Sequence, residues 1–92
     1  MRIEIKKFGT ILSSRPAGKE AWLAAKAYIV PDIKEENVEV DFNGVQVLAP
    51  SWADEFLTPL QKMFGKKIKY LPCDNPTVKT TLEILDEQHK DH

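Results

Sequence analysis

Three short stretches of this chain carry side chains able to do chemistry: Ser13-Ser14-Arg15, Ala49-Pro50-Ser51-Trp52-Ala53-Asp54-Glu55 and Pro72-Cys73-Asp74-Asn75. In the first, two hydroxyls and a guanidinium stand at an expected helix start, a set that together with free helix N–H groups suits an anion or a nucleotide. The stretch has no glycine-rich loop and no Walker-type lysine, and it serves equally as a helix cap beside a surface arginine. In the second, Ser51 followed three residues later by Asp54 has nearly the form of a capping box. Asp54 and Glu55 would then lie in a first turn, where the helix dipole favours negative charge. The functional reading of this stretch is a partner-binding junction of Pro50, Ser51, Trp52, Asp54 and Glu55. Ser51 is its candidate phosphoacceptor, because a phosphate beside two carboxylates creates the electrostatic conflict that a switch needs. Trp52 fits either an interface anchor or a core aromatic.

Cys73 precedes a predicted helix, a place where a reactive thiol nucleophile could stand. A nucleophile also needs a base, and neither Cys-x5-Arg nor Cys-x-x-Cys is present, since Lys79 and Pro76 occupy those places. The cysteine therefore reads as a small buried hydrophobe. His89 and His92 lie three apart in a terminal segment and make a poor metal site. No catalytic constellation, metal or cofactor is expected, and the chain reads as a non-enzyme.

Elements that would position these stretches follow from periodicity. Arg2 to Lys7 alternates with Ile3 and Ile5 on one face, as a half-buried strand does, and a short second strand is expected at Thr10 to Ser13. Ser14-Arg15-Pro16 opens a helix with Ala17, Ala21, Ala24, Ala25 and Tyr28 at helical spacing, and Pro31 stops it. Val38, Val40 and Phe42 form the next strand, and Asn43-Gly44 supplies the positive φ of a sharp turn. From Ser51, the residues Ala53, Phe56, Leu57, Leu60, Met63 and Phe64 hold one helical face as far as Gly65, across an internal Pro59. Lys66 to Leu71 alternates as a strand. Asp74-Asn75-Pro76 then opens a helix that turns Val78, Leu82 and Leu85 inward, and the tail from Asp86 is expected to fray. This order predicts a single α/β domain over residues 1–92, with its core at about 3–87 and a frayed 88–92. Its architecture would be a four-stranded mixed, mostly parallel sheet with about three helices packed against it. All three reactive stretches fall at strand-to-helix junctions, where such sheets place ligands and partners.

Composition narrows the function further. Of 92 residues, 42% are hydrophobic and 29% charged, as in a folded globular domain. Thirteen basic and fourteen acidic residues leave a formal charge of −1, with no long block of one sign, so nucleic acid is not an expected partner. The longest apolar run is far shorter than a bilayer span and the amino-terminal stretch lacks a signal-peptide core, so a membrane is not expected and the cytoplasm is. One cysteine excludes an intramolecular disulfide. The strand at Arg2 to Lys7 offers an edge for self-pairing, so a monomer or weak homodimer is expected.

Phe8-Gly9, Ser14-Arg15, Val38-Glu39-Val40-Asp41-Phe42-Asn43-Gly44-Val45 and Ser51-Trp52-Ala53-Asp54-Glu55-Phe56 together resemble the STAS-like family of unknown function. In that family a strand ending Asp-Phe-x-Gly-Val precedes a helix opening Ser-Phe-Ala-Asp-Glu. The likeness extends over about residues 3–87 and relates the chain to the anti-sigma-factor antagonists, in which the corresponding junction reads Asp-Ser-Ser-Gly or Asp-Ser-Thr-Gly. Their first hydroxyl is phosphorylated by a kinase that is also the anti-sigma factor. Matching Asp41 and Val45 without a gap sets Pro50 at that acceptor position, Ser51 at the next, and Trp52 in place of the glycine. The resemblance implies a mixed sheet with helices against it, no cofactor, and a protein partner of the histidine-kinase-like ATPase class that docks at Ala49 to Glu55. The alternative from another class is a small anion- or nucleotide-sensing module at Ser13, Ser14 and Arg15.

Overall fold

The computed structural model describes residues 1–33 and 37–88. The elements follow in the order β1 (Arg2–Glu4), β2 (Ile11–Leu12), α1 (Arg15–Tyr28), β3 (Val38–Asp41), β4 (Val47–Leu48), α2 (Pro50–Phe64), β5 (Ile68–Tyr70) and α3 (Pro76–Gln88). Three 3-10 turns, Ile5–Phe8, Val30–Asp32 and Gly65–Lys67, link them.

The expected single four-stranded mixed sheet is replaced by two parallel ones. A three-stranded sheet runs β1-β3-β5 with Ile3 beside Val40 and Val40 beside Tyr70, and a two-stranded sheet pairs Ile11 with Val47 and Leu12 with Leu48. The cause is a double break. The first strand curls into the Ile5–Phe8 turn, closed by Gly9 at φ 132°, and the third stops at the Asn43-Gly44 turn with Gly44 at φ 90°. The two breaks face each other, since a Cβ on Gly44 would stand 3.1 Å from Lys6 Cδ. Beyond them pairing resumes as β2 and β4.

Alternation puts Ile3, Val38 and Val40 in the core, while Arg2 is exposed and Glu39 half-buried. On α1 the inward stripe is Gly18, Ala21 and Ala25, whereas Ala17, Ala24 and Tyr28, expected inward, are exposed. Gly18 sets this rotation, because a Cβ there would lie 2.5 Å from the Trp52 carbonyl oxygen, so only glycine lets α1 cross α2 this closely. α2 buries Trp52, Ala53, Phe56, Leu57 and Leu60, leaves Met63 exposed, and ends at Gly65 with φ 53° as the sequence indicates. α3 buries Val78, Thr81 and Leu85 with Leu82 half-buried, and it continues through Asp86 to Gln88, which the sequence reading assigned to a frayed tail. His89 and His92 lie outside the described residues. Cys73 is a free thiol, half-buried against the core rather than fully enclosed.

Tyr70 stacks on Phe42 and accepts a hydrogen bond from Gln61 Nε2. Burial raises its pKa above the ordinary phenol value, and the Gln61 contact opposes that only in part. The folded state therefore holds the phenolic proton more tightly than the unfolded chain, and this contribution to stability is complete below about pH 10 and is lost as pH rises through the folded value. Urea melts across the alkaline range should show the wild type losing more stability above about pH 10 than Tyr70→Phe does. Equal slopes for the two proteins would contradict this.

Candidate functional site

α2 begins two residues earlier than the capping-box reading requires. Ala49 occupies the cap position in extended backbone (φ −94°, ψ 151°), contributes no side-chain cap, and Pro50 fills the first helical position. Proline suits that place because its missing N–H would find no intrahelical partner there. Ser51 is thus the second helical residue and does not cap the helix, and Asp54 lies beyond the first turn. The acid has another role: Thr58 Oγ1 donates to Asp54 Oδ1 at 2.9 Å and Arg15 Nη1 donates to Asp54 Oδ2 at 3.0 Å. Glu55 Oε1 stands 3.7 Å from the same guanidinium nitrogen.

Arg15 reaches this place from the head of α1, 39 residues away in sequence. Its helix is capped as expected, with the Ala17 N–H donating to Ser14 Oγ at 3.2 Å and Pro16 in the first turn. The Asp54 hydrogen bond raises the guanidinium pKa above its ordinary value; desolvation opposes it, and the charges of Asp54 and Glu55 add to it. Ser13, Ser14 and Arg15 are all exposed. An anion arriving here would find the Ser14 hydroxyl committed to the helix and Arg15 shared between two carboxylates. The two junctions that the sequence presents separately thus form one surface.

Trp52 does not belong to that surface. It is 1% exposed, stacks on Phe56 with ring centroids 5.0 Å apart, and meets Phe8 at 6.5 Å. Trp22 adds an edge-on contact to Phe56 at 6.0 Å. This aromatic cluster is the floor of the junction, above which Pro50 is exposed and Ser51, Asp54 and Glu55 are half-exposed. The core reading of Trp52 holds, and its indole is not available to a partner.

The third junction is structural. Asn75 Oδ1 accepts from the Thr77 N–H at 2.8 Å and so heads α3, while its Nδ2 donates to the carbonyls of Val45 and Gln46. Next to it lies an apolar groove of about 370 Å³ lined by Val47, Pro50, Pro76, Thr80 and Ile84 among others. Sequence reasoning missed this groove because β4, its floor, is only two residues long and has no readable period. Among the described residues no group of three or more His, Cys, Asp or Glu could hold a metal, and no helix is long and apolar enough to cross a membrane.

The sequence profile of the STAS-like domain family of unknown function matches residues 26–78, more than half of the chain, and the chain belongs to that family. The matched region holds the Asp41 to Val45 strand end and the whole Ala49 to Glu55 junction, and excludes Ser13 to Arg15. No curated protein and no solved structure matches the chain.

Replacing Trp52 by alanine opens a cavity beside Phe8 and Phe56, and chemical denaturation should show a loss of about 3–5 kcal/mol. A loss below about 1 kcal/mol would mean that the indole is not the floor described here.

Proposed function

We propose that this is a non-enzymatic regulatory domain that binds a protein partner through the exposed head of α2, with Pro50, Ser51, Asp54 and Glu55 as contact residues. The observation that carries the reading is the ion-paired joining of Arg15 to Asp54 and Glu55, because it unites two helix heads into a single polar surface over a rigid aromatic floor. A surface held from below in this way loses little conformational entropy when a partner docks. Kinship with the antagonists supports a partner of the histidine-kinase-like ATPase class, and the cytoplasm as the place of action.

Ser51 is the modification site within this reading. On α2 it precedes Asp54 by three residues and Glu55 by four, spacings that face one another on a helix. A phosphate on Ser51 would repel both carboxylates and compete for Arg15, loosening the contact between the two helix heads. Helix-end N–H groups without a side-chain cap favour the added charge locally, so the modified state is tolerated even as the surface becomes more negative.

Affinity capture from source-cell lysate with ATP present should retain a kinase-fold ATPase on the wild-type domain and put phosphate on Ser51. A Pro50→Arg/Glu55→Arg variant, altered only at exposed and half-exposed positions, should keep its fold by circular dichroism and lose about tenfold or more of the captured ATPase. Equal recovery of that ATPase on both baits would overturn the proposed contact surface.

A further inference from the structure

The formal charge of −1 conceals a separation of charge along the chain. All fourteen acidic residues lie outside residues 56–73, whereas that stretch carries Lys62, Lys66, Lys67 and Lys69. The fold gathers them around the carboxyl end of α2: Lys62 in its last turn, Lys66 and Lys67 in the 3-10 turn that follows, and Lys69 on β5. All four are exposed, and none has an ion-pair partner among the described residues. The negative end of the helix dipole accounts for part of this, and lysine on an edge strand deters pairing with other chains. Neither effect requires lysines to converge on one concavity.

Three of them do converge. Lys66, Lys67 and Lys69 line a concavity of about 510 Å³ together with Met1, Asn37 and Glu39. Its volume is in the range of small-molecule sites. Among the described residues Glu39 is the single carboxylate in the lining, and Arg2 Nη2 on the neighbouring strand stands 3.6 Å from it. The carboxylate is thus partly offset and the lysine charge is left in excess.

We infer that this concavity binds an anion bearing two or more phosphate groups, either free in solution or as the headgroup of a lipid. Each ammonium is a flexible point charge suited to phosphate oxygen, and three around one hollow match several phosphates rather than one. Four lysines in a short patch, with the hollow sized for a small molecule, favour this over an extended nucleic acid, which needs a longer charged track. The site lies at the opposite end of α2 from Ser51, roughly 20 Å away along a helix of this length, so it stands or falls independently of the partner-binding surface.

Calorimetric titration of the full chain with sodium tripolyphosphate tests the inference, alongside flotation with phosphatidylcholine vesicles lacking or containing a bisphosphorylated phosphoinositide. Changing all three lysines to glutamine (Lys66→Gln, Lys67→Gln, Lys69→Gln) should weaken binding about tenfold or more with the circular dichroism unchanged. Glu39→Gln should strengthen it about threefold, an effect that a purely structural role for the lysines would not produce. Binding of tripolyphosphate without vesicle binding assigns a soluble ligand, and phosphoinositide-dependent flotation assigns a lipid headgroup. The inference is overturned if neither probe binds the wild type, if the triple variant binds as the wild type does, or if a short DNA duplex binds more tightly than tripolyphosphate at about 0.15 M salt.

Discussion

Asn75, Thr77 and Thr81 do for β4 what a neighbouring strand would otherwise do. β2 satisfies one side of this two-residue strand, and on the other side Leu48 turns its N–H to Thr77 Oγ1 at 3.1 Å and its carbonyl to Thr81 Oγ1 at 2.7 Å. Asn75 completes the seal by donating to the carbonyls of Val45 and Gln46, while its own Oδ1 accepts from Thr77. Thr81 is the buried polar residue of the core, and no buried side-chain polar atom among the described residues lacks a partner. Unpaired polar groups at such a depth would each cost about 1–3 kcal/mol. The side chains at the head and in the first two turns of α3 thus let a parallel pair of minimal length persist beside the larger sheet.

What the seal holds in place is the entry to α2. Leu48 leads directly to Ala49, whose N–H donates to the Leu12 carbonyl and whose own carbonyl accepts from Ala53, so β2, β4 and the first turn of α2 are fixed to one another. Trp52 then drops into the core, Gly18 of α1 closes over its backbone, and Arg15 is brought within reach of Asp54. The geometry of the exposed junction is set by buried groups on three different elements. At this junction the charged groups Arg15, Asp54 and Glu55 lie on the rim, where the net worth of an ion pair to stability is small.

Much of this is legible in the sequence. Long elements with local signals were read correctly: Ser14 as the cap of α1, Gly65 as the end of α2, the Asn43-Gly44 turn, and Asn75-Pro76 as the head of α3. Family kinship was readable too, from the strand ending at Val45 and the helix opening after it. The sheet was not, because a two-residue strand carries no period, and the curl at Ile5 to Phe8 interrupts an alternation that otherwise continues through it. Ser51 was misread as a cap because serine is a stronger cap signal than alanine, although Pro50 beside it pointed to a helix already begun. Arg15 meeting Asp54, and Trp52 turning inward beneath Gly18, are long-range outcomes that no local pattern encodes.

The central claim, that α3 fixes the head of α2 through the free side of β4, is tested most directly by residue-resolved hydrogen exchange on Thr81→Val, which keeps the shape and removes the donor to Leu48. The amides of Leu48, Ala49 and Ala53 should lose about 1–3 kcal/mol of protection relative to those of Val40 in β3 and Ala25 in α1. A uniform fall in protection across all of these amides, or none at all, would contradict it.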